Sequence, residues 1–335
     1  MAAHKADQAG EAQRYLNFGH LSLRTRRGWV VTVLRTTEPI SAGAPLRRRS
    51  ARGKLKKRLA AAGLLALSGV SAGAWADRSF SHLVSDEVDA LFAGSPHGQA
   101  VIVTEKMTEN LPGPVRRYLD HAGVVGTPIV HTVRLAQRGR MRLAPGLPWA
   151  CLRAKQSYSV QSPGFVWDGT LYLGRVPMVR ARDTYRDGEG KMLVKAASAV
   201  TVVDAGGEEL DQAALTRYLG EMIWFPSAFL SGNVSFEGLD EGSTRVTLTD
   251  RGLTVSGILS IDPEGRLTNF RAERYRMVRG RFELTPWSMP VQEYGVLAGL
   301  RLPVRGRAVW GLGGGDFEYI DVLVDQLRYN SDVRA

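Results

Sequence analysis

From Ile129 to the C-terminus, short segments of β-branched and aromatic residues recur, each closed by Gly, Asp or Pro. Two of them alternate apolar and polar positions along most of their length: Thr244-Arg-Val-Thr-Leu-Thr249 and Leu253-Thr-Val-Ser-Gly-Ile-Leu-Ser-Ile261. A period of two puts successive side chains on opposite faces, one dry and one wet. The pattern predicts strands over 129–143, 151–160, 165–173, 176–185, 191–203, 233–236, 243–249, 253–261, 267–276, 281–286, 291–297, 305–310 and 317–329. Connections between them are short. Parallel strands need long crossovers, so an antiparallel meander is expected. Asp262-Pro-Glu-Gly265 and Arg186-Asp-Gly-Glu-Gly190 read as hairpin turns.

Three stretches carry a helical period instead. Phe80–Phe92 places Leu83, Val84, Val88, Leu91 and Phe92 on one face. Val115–His121 follows Leu111-Pro-Gly-Pro114 and runs out at Gly123. Glu208–Phe225 has a stripe of Leu215, Leu219, Met222 and Ile223, and Pro226 stops it. The expected fold is therefore α+β: a long antiparallel meander forming a strongly curved sheet or partial β-barrel, with N-terminal helices and one inserted helix at about 208–225. Sheets of more than about ten strands curl or split. The helices are expected to close the concave side. Half-barrels of this shape are natural containers for apolar ligands.

Charge is distributed unevenly. Residues 1–76 hold fourteen Lys and Arg against three acids, while residues 77–335 hold thirty of each. The formal charge of +11 thus belongs to the N-terminal segment. A neutral body has no net charge to offer phosphates, which argues against nucleic acid as a partner. The basic run Arg47–Arg58 precedes an uncharged stretch, Leu59–Val70, and an Ala74-Trp75-Ala76 box. That order is the signature of a secretory signal peptide, or of an uncleaved signal anchor over 54–76. Either one carries the body to the extracytoplasmic side and gives the N-terminal segment a membrane contact. Residues 1–53 form a basic extension, read as disordered or as an over-extended reading frame. The body then divides into a helical segment, 77–127, and a sheet domain, 128–330. The single cysteine, Cys151, excludes an internal disulfide and any multi-cysteine metal site, and reads as a small buried hydrophobe.

Candidate chemistry concentrates at Arg217-Tyr-Leu-Gly-Glu-Met-Ile-Trp-Phe-Pro226. Arg217 and Glu221 are four apart, so they share a helix face. With Trp224 they form either the mouth or floor of a pocket or a surface ion pair over a core helix. Trp167, Trp287 and Trp310 fall in strands and either line a lipid-sized cavity or fill a core. Arg182 and Arg274 also fall in strands, where an inward arginine would hold an anionic head group. The candidate ligand-binding set is thus Trp167, Arg182, Arg217, Glu221, Trp224, Arg274, Trp287 and Trp310. Glu221 is the one catalytic candidate. The six histidines show no metal-ligand spacing, and no phosphate-binding loop, nucleophile elbow or zinc-protease motif is present. No metal and no cofactor are expected.

Leu111-Pro-Gly-Pro-Val-Arg-Arg-Tyr-Leu119, Arg217–Pro226 and the strands of Trp287 and Trp310 together resemble an uncharacterised bacterial family, catalogued as a domain of unknown function and often found behind one N-terminal membrane helix. The resemblance spans roughly residues 105–330 and carries no activity with it. In architecture the meander resembles the lipoprotein-carrier half-barrels of the bacterial envelope. Three functions stay open. The first is an exported or membrane-anchored protein that binds a lipid or other apolar or amphipathic small molecule. The second is an isomerase- or hydrolase-type enzyme using Glu221 in an aromatic pocket. The third is a structural envelope protein that meets a partner through a sheet edge.

Overall fold

The computed structural model describes residue 73 and residues 75–95 and 100–331. The expected extension over 1–53 lies outside these residues, as does nearly all of the expected signal over 54–76. Among the described residues no helix is long and apolar enough to cross a membrane.

One antiparallel sheet accounts for the body. Its first half runs β1 (Thr132–Met141), β2 (Ala150–Ser159), β3 (Gly164–Leu173), β4 (Val176–Arg186), β5 (Glu189–Ala196) and β6 (Val200–Gly206). Helix α4 (Glu208–Glu221) and two 3-10 turns, Met222–Trp224 and Pro226–Leu230, follow. The second half is β7 (Val234–Gly238), β8 (Ser243–Asp250), β9 (Leu253–Ile261), β10 (Leu267–Val278), β11 (Arg281–Ser288), β12 (Val291–Leu297), β13 (Leu300–Leu312) and β14 (Gly315–Tyr329). Neighbours run β6-β5-β4-β3-β2-β1-β14-β13-β11-β10-β9-β8-β7, with β12 beside β13 off that path. Pairing the first strand with the last makes the two halves continuous, and the sheet curls into a half-barrel.

Tight turns set the registers. Asp187-Gly188, Arg251-Gly252, Arg279-Gly280 and Ala298-Gly299 all have positive φ at both positions. This is the two-residue hairpin geometry whose twist matches that of the flanking strands. A further left-handed pair, Ala197-Ser198, cuts the strand expected over 191–203 into β5 and β6. The run of β-formers hides this break because neither turn residue is Gly, Asn or Asp. Two hairpin tips from opposite halves meet: Tyr185 Oη donates to Asp250 (2.8 Å) and Arg251 to Asp187 (2.7 Å).

The inserted helix fills the inner face. Residues 213–216 and 218–221 are all buried, so α4 is enclosed on most of its circumference and not merely along one stripe. It packs chiefly on β5, β9 and β10. Gly190 permits its approach: a Cβ there would lie 2.5 Å from the Leu210 carbonyl oxygen. Acidic Glu208, Glu209 and Asp211 occupy its first turn, as the helix dipole favours. Asp211 also accepts from the Gly190 amide at 2.7 Å. The backbone leaves helical geometry at Phe225 (φ −143°, ψ 65°), outside the α region that the following Pro226 disfavours. Helix α2 (Glu105–Thr108) is a single turn, and α3 (Gly113–Ala122) seats Tyr118 and Leu119 in the main core.

The first helix, α1 (75–92), departs from expectation. It lies on the outer face. Leu91 and Phe92 pack on Val166, which points away from its neighbours Phe165 and Trp167 in the main core. Polar ties hold α1 there. Arg180 bridges Asp168 and Asp77 (both 2.8 Å), and Arg182 faces Glu87 (3.3 Å). Cys151 is exposed, not buried, because Leu152 and Ala154 take the inward positions of β2 and leave Cys151 on the other parity.

Two stability predictions follow from this packing. Gly190→Ala is expected to lower stability by about 1–3 kcal/mol through overpacking against α4, measured as a fall in the urea midpoint. The second concerns Asp321, which is held by Arg305 (3.1 Å) and Arg140 (2.9 Å) from the flanking strands. Burial alone would raise its pKa, but hydrogen bonds and charge from Arg305 and Arg140 hold it below the ordinary carboxylate value. The folded state therefore releases this proton more readily than the unfolded chain. The contribution is complete above about pH 5 and is lost as pH falls through the lowered pKa. The stability difference between wild type and Asp321→Asn should be flat above pH 5 and shrink below pH 4; a difference independent of pH would contradict the assignment.

Candidate functional site

Between α4 and the inner face of the sheet is a cavity of about 360 Å³. Strand parity decides what reaches it. From β3 come Phe165, Trp167, Gly169 and Leu171, and from β4 come Val179, Ala181 and Asp183. From α4 come Arg217 and Glu221, one turn apart, followed by Trp224. The opposite wall is Arg274 and Arg276 of β10, Trp287 of β11, Trp310 of β13 and Tyr319 of β14. A smaller hollow of about 130 Å³, next to the β1–β2 connection, shares Met141, Leu143, Arg276, Met277, Trp310 and Tyr319 with it.

Seven of the eight candidate residues therefore line one cavity: Trp167, Arg217, Glu221, Trp224, Arg274, Trp287 and Trp310. Arg182 does not. It sits one residue before inward-facing Asp183, so it points to the outer face and under α1. Arg217 and Glu221 are no surface pair, since their side chains are 13% and 7% exposed. The candidate set lacks Gln156, Tyr158, Arg276 and Tyr319, the last two being among the arginines and aromatic residues that the strands carry. Parity on β2 and β10 signals three of them, but only after the inward face is known.

The indoles are fixed by their own N–H groups. Trp167 donates to Gln137 (3.2 Å), Trp224 to the Pro303 carbonyl (3.0 Å) and Trp287 to Tyr319 Oη (3.1 Å). Gly169 leaves room for the Trp167 ring, which a Cβ would meet at 2.1 Å. Trp310 stacks on Tyr319 at 5.6 Å between centroids.

Arg217 is the hub of the polar floor. Its Nε donates to Glu221 Oε1 (2.9 Å), Nη1 to Asp183 Oδ2 (2.9 Å) and Nη2 to Gln156 Oε1 (3.3 Å). The guanidinium also lies 5.0 Å from the Phe165 centroid and 5.2 Å from that of Trp167. Glu221 Oε2 accepts from Gln156 (2.8 Å) and Tyr158 (3.1 Å). Both oxygens of Glu221 are thus occupied by fixed donors. Burial works against the Arg217 charge, yet the Glu221 and Asp183 carboxylates outweigh it and hold its pKa above the ordinary arginine value. Burial pushes the Asp183 carboxyl up, against the arginines around it. The Tyr158 hydroxyl is also pushed well up, by burial first and by the Glu221 charge second.

Arg274 is placed differently. Its Nε donates to the Ala213 carbonyl (2.9 Å) and Nη1 to Tyr319 Oη (3.5 Å), and its guanidinium lies 4.8 Å from the Trp287 centroid. Burial pulls its pKa below the ordinary value. Among the described residues no group of three or more His, Cys, Asp or Glu could hold a metal ion.

The molecule is thus a curled antiparallel half-barrel with an aromatic chamber closed by an inserted helix. It belongs to the family of unknown function DUF6544, whose model matches residues 101–322, well over half of the chain. No curated protein matches it in sequence. Among solved structures it is similar to a LolA superfamily protein from Nitrosomonas europaea, with 11% identity over 69% of this chain and 96% of that one and a TM-score of 0.37. A putative outer membrane lipoprotein-sorting protein domain from Vibrio parahaemolyticus matches at 9% identity over 60% and 86%, TM-score 0.35. A DUF1329 family protein from Desulfovibrio piger matches at 8% over 69% and 94%, TM-score 0.37.

Removing Arg217 tests the floor. Arg217→Met leaves Glu221 and Asp183 without their cation and is expected to cost about 3–5 kcal/mol. Arg217→Lys keeps the charge but loses the planar fork and should cost less. Chemical unfolding of both variants checks this order; a loss below about 1 kcal/mol for Arg217→Met would mean that the network does not hold the helix to the sheet.

Proposed function

We propose that this protein binds an apolar or amphipathic small molecule, of lipid type, in the chamber between α4 and the sheet. The observation that carries the proposal is the chamber itself. Its volume of about 360 Å³ falls within the ordinary range for small-molecule sites, about 300–1,000 Å³, and its walls are chiefly aromatic and aliphatic. A helix and a sheet that had only to fill a core would close such a space, because voids of this size cost packing energy. We place its action on the extracytoplasmic side, delivered by the basic and apolar segment over 54–76. The membrane contact of that segment is part of the same proposal.

The arrangement of Glu221 favours binding over catalysis. A general base has to reach a substrate proton with a free oxygen. Here one oxygen is held by Arg217 and the other by Gln156 and Tyr158. Glu221 is a structural acceptor that fixes the polar floor, and the apolar space lies beside it.

Native mass spectrometry of the full chain, recorded before and after organic extraction, tests the proposal. The expected result is a lipid-sized adduct that is lost on extraction and regained with added single-chain lipid. A protein that is folded, carries nothing and takes up nothing would overturn it.

A further inference from the structure

Six cationic side chains line the chamber: Lys191, Arg217, Arg274, Arg276, Arg305 and Arg307. Four of them are ion-paired with carboxylates. Lys191 meets Glu189, Arg217 meets Glu221 and Asp183, Arg305 meets Asp321 and Glu293, and Arg307 meets Glu318. Arg274 and Arg276 stand apart, with no carboxylate within ion-pair distance among the described residues. They are two positions apart on β10, so both project from the same face, about 7 Å from one another along the strand.

What surrounds them is aromatic. The Arg274 guanidinium is 4.8 Å from the Trp287 centroid and 5.6 Å from that of Trp310, and the Arg276 guanidinium is 5.9 Å from the same Trp310 ring. Stacking on an indole supports a cation through its flat face and leaves the N–H edge free. Arg274 spends Nε on Ala213 and Nη1 on Tyr319. The Nε of Arg276 is buried and has no hydrogen-bond partner. Its cross-strand neighbour Glu283 is exposed and makes no ion pair with it. Buried donors on a cation are costly to leave unmade, and an oxyanion is the group that satisfies a guanidinium fork best. Arg276 also borders the smaller hollow beside the β1–β2 connection, which adjoins the chamber.

We infer that the chamber is selective for single-chain amphiphiles with an anionic head group, a carboxylate or a phosphate. The head group lies at Arg274 and Arg276 and the chain runs inward along Trp167 and Leu171. This rests on the apolar-ligand reading above and narrows it to one charge class. Arg217 does not compete for the head group, because its three nitrogens are already donated to Glu221, Asp183 and Gln156.

The test uses the full chain and three probes with the same oleoyl-length chain: oleate, oleoyl lysophosphatidate and oleyl alcohol. Dissociation constants are measured for wild type, Arg276→Gln and the Arg274→Gln/Arg276→Gln double variant. The readout is the ratio of anionic to neutral affinity within each protein, so a general loss of packing cancels. In wild type at least one anionic probe should bind about tenfold or more tightly than the alcohol. The ratio should fall in Arg276→Gln and come within about twofold of unity in the double variant. Preference for oleate identifies a fatty carboxylate as the ligand type; preference for the lysophosphatidate identifies a phospholipid-type phosphate. Equal binding of all three by wild type would overturn the head-group assignment and leave the apolar-ligand reading standing. Binding of none would overturn that reading itself. Because wild type alone can refute the assignment, the test does not depend on the double variant folding.

Discussion

A guanidinium set between Phe165 and Trp167 has to find its acceptors inside the fold, and Arg217 finds them on three elements. Glu221 comes from its own helix, Asp183 from β4 and Gln156 from β2. Breaking one such buried pair is far costlier than its net worth suggests, because the abandoned charge has nowhere to go. The network therefore fixes how α4 sits against the first half of the sheet. Arg274, reaching from β10 to the Ala213 carbonyl, fixes it against the second. The space that remains is defined by these two arginines as much as by the apolar walls.

A curled sheet of fourteen strands presents an inner face wider than one helix can cover. Helix α4 packs chiefly on β5, β9 and β10. The inward side chains of β3, β11 and β13 are left facing open space, and they include Trp167, Trp287 and Trp310. The same geometry separates two chemistries. On the floor, the Glu221 and Asp183 carboxylates share the Arg217 cation. On the β10 wall, cations rest on indoles without carboxylates. An amphiphile with an anionic head is complementary to that division in both its parts.

Much of the architecture was legible because it rests on local patterns. Period-two segments, short connections and one long helical stripe are enough to give an antiparallel meander with an inserted helix. The register-setting turns at Arg251-Gly252, Arg279-Gly280 and Ala298-Gly299 are visible in retrospect as single glycines between apolar runs. The turn at Ala197-Ser198 is not, since its left-handed geometry is imposed by the β5–β6 pairing and not by its residue types. Parity was the main gap in the site. Arg182 and Asp183 are neighbours in a strand, so they face opposite sides, and nothing local says which side is inner. Once Trp167 or Glu221 is placed, β-sheet alternation assigns the rest. The side occupied by α1 was equally hidden, because its apolar face suits either surface of the sheet and only the ties of Asp77 and Glu87 to Arg180 and Arg182 decide it.

The central claim is that the tryptophan-lined chamber holds an apolar chain. Tryptophan fluorescence under titration with a bromine-substituted stearate, compared with stearate itself, tests it most directly, because bromine quenches an indole only at close range. Trp167, Trp224, Trp287 and Trp310 line the chamber, whereas Trp149 rests on Arg140 and Arg142 away from it. Saturable quenching by the brominated chain alone, retained when Trp29, Trp75 and Trp149 are all replaced by Phe, is the predicted result. Emission that is the same with both fatty acids, or that falls without saturation, would contradict the account.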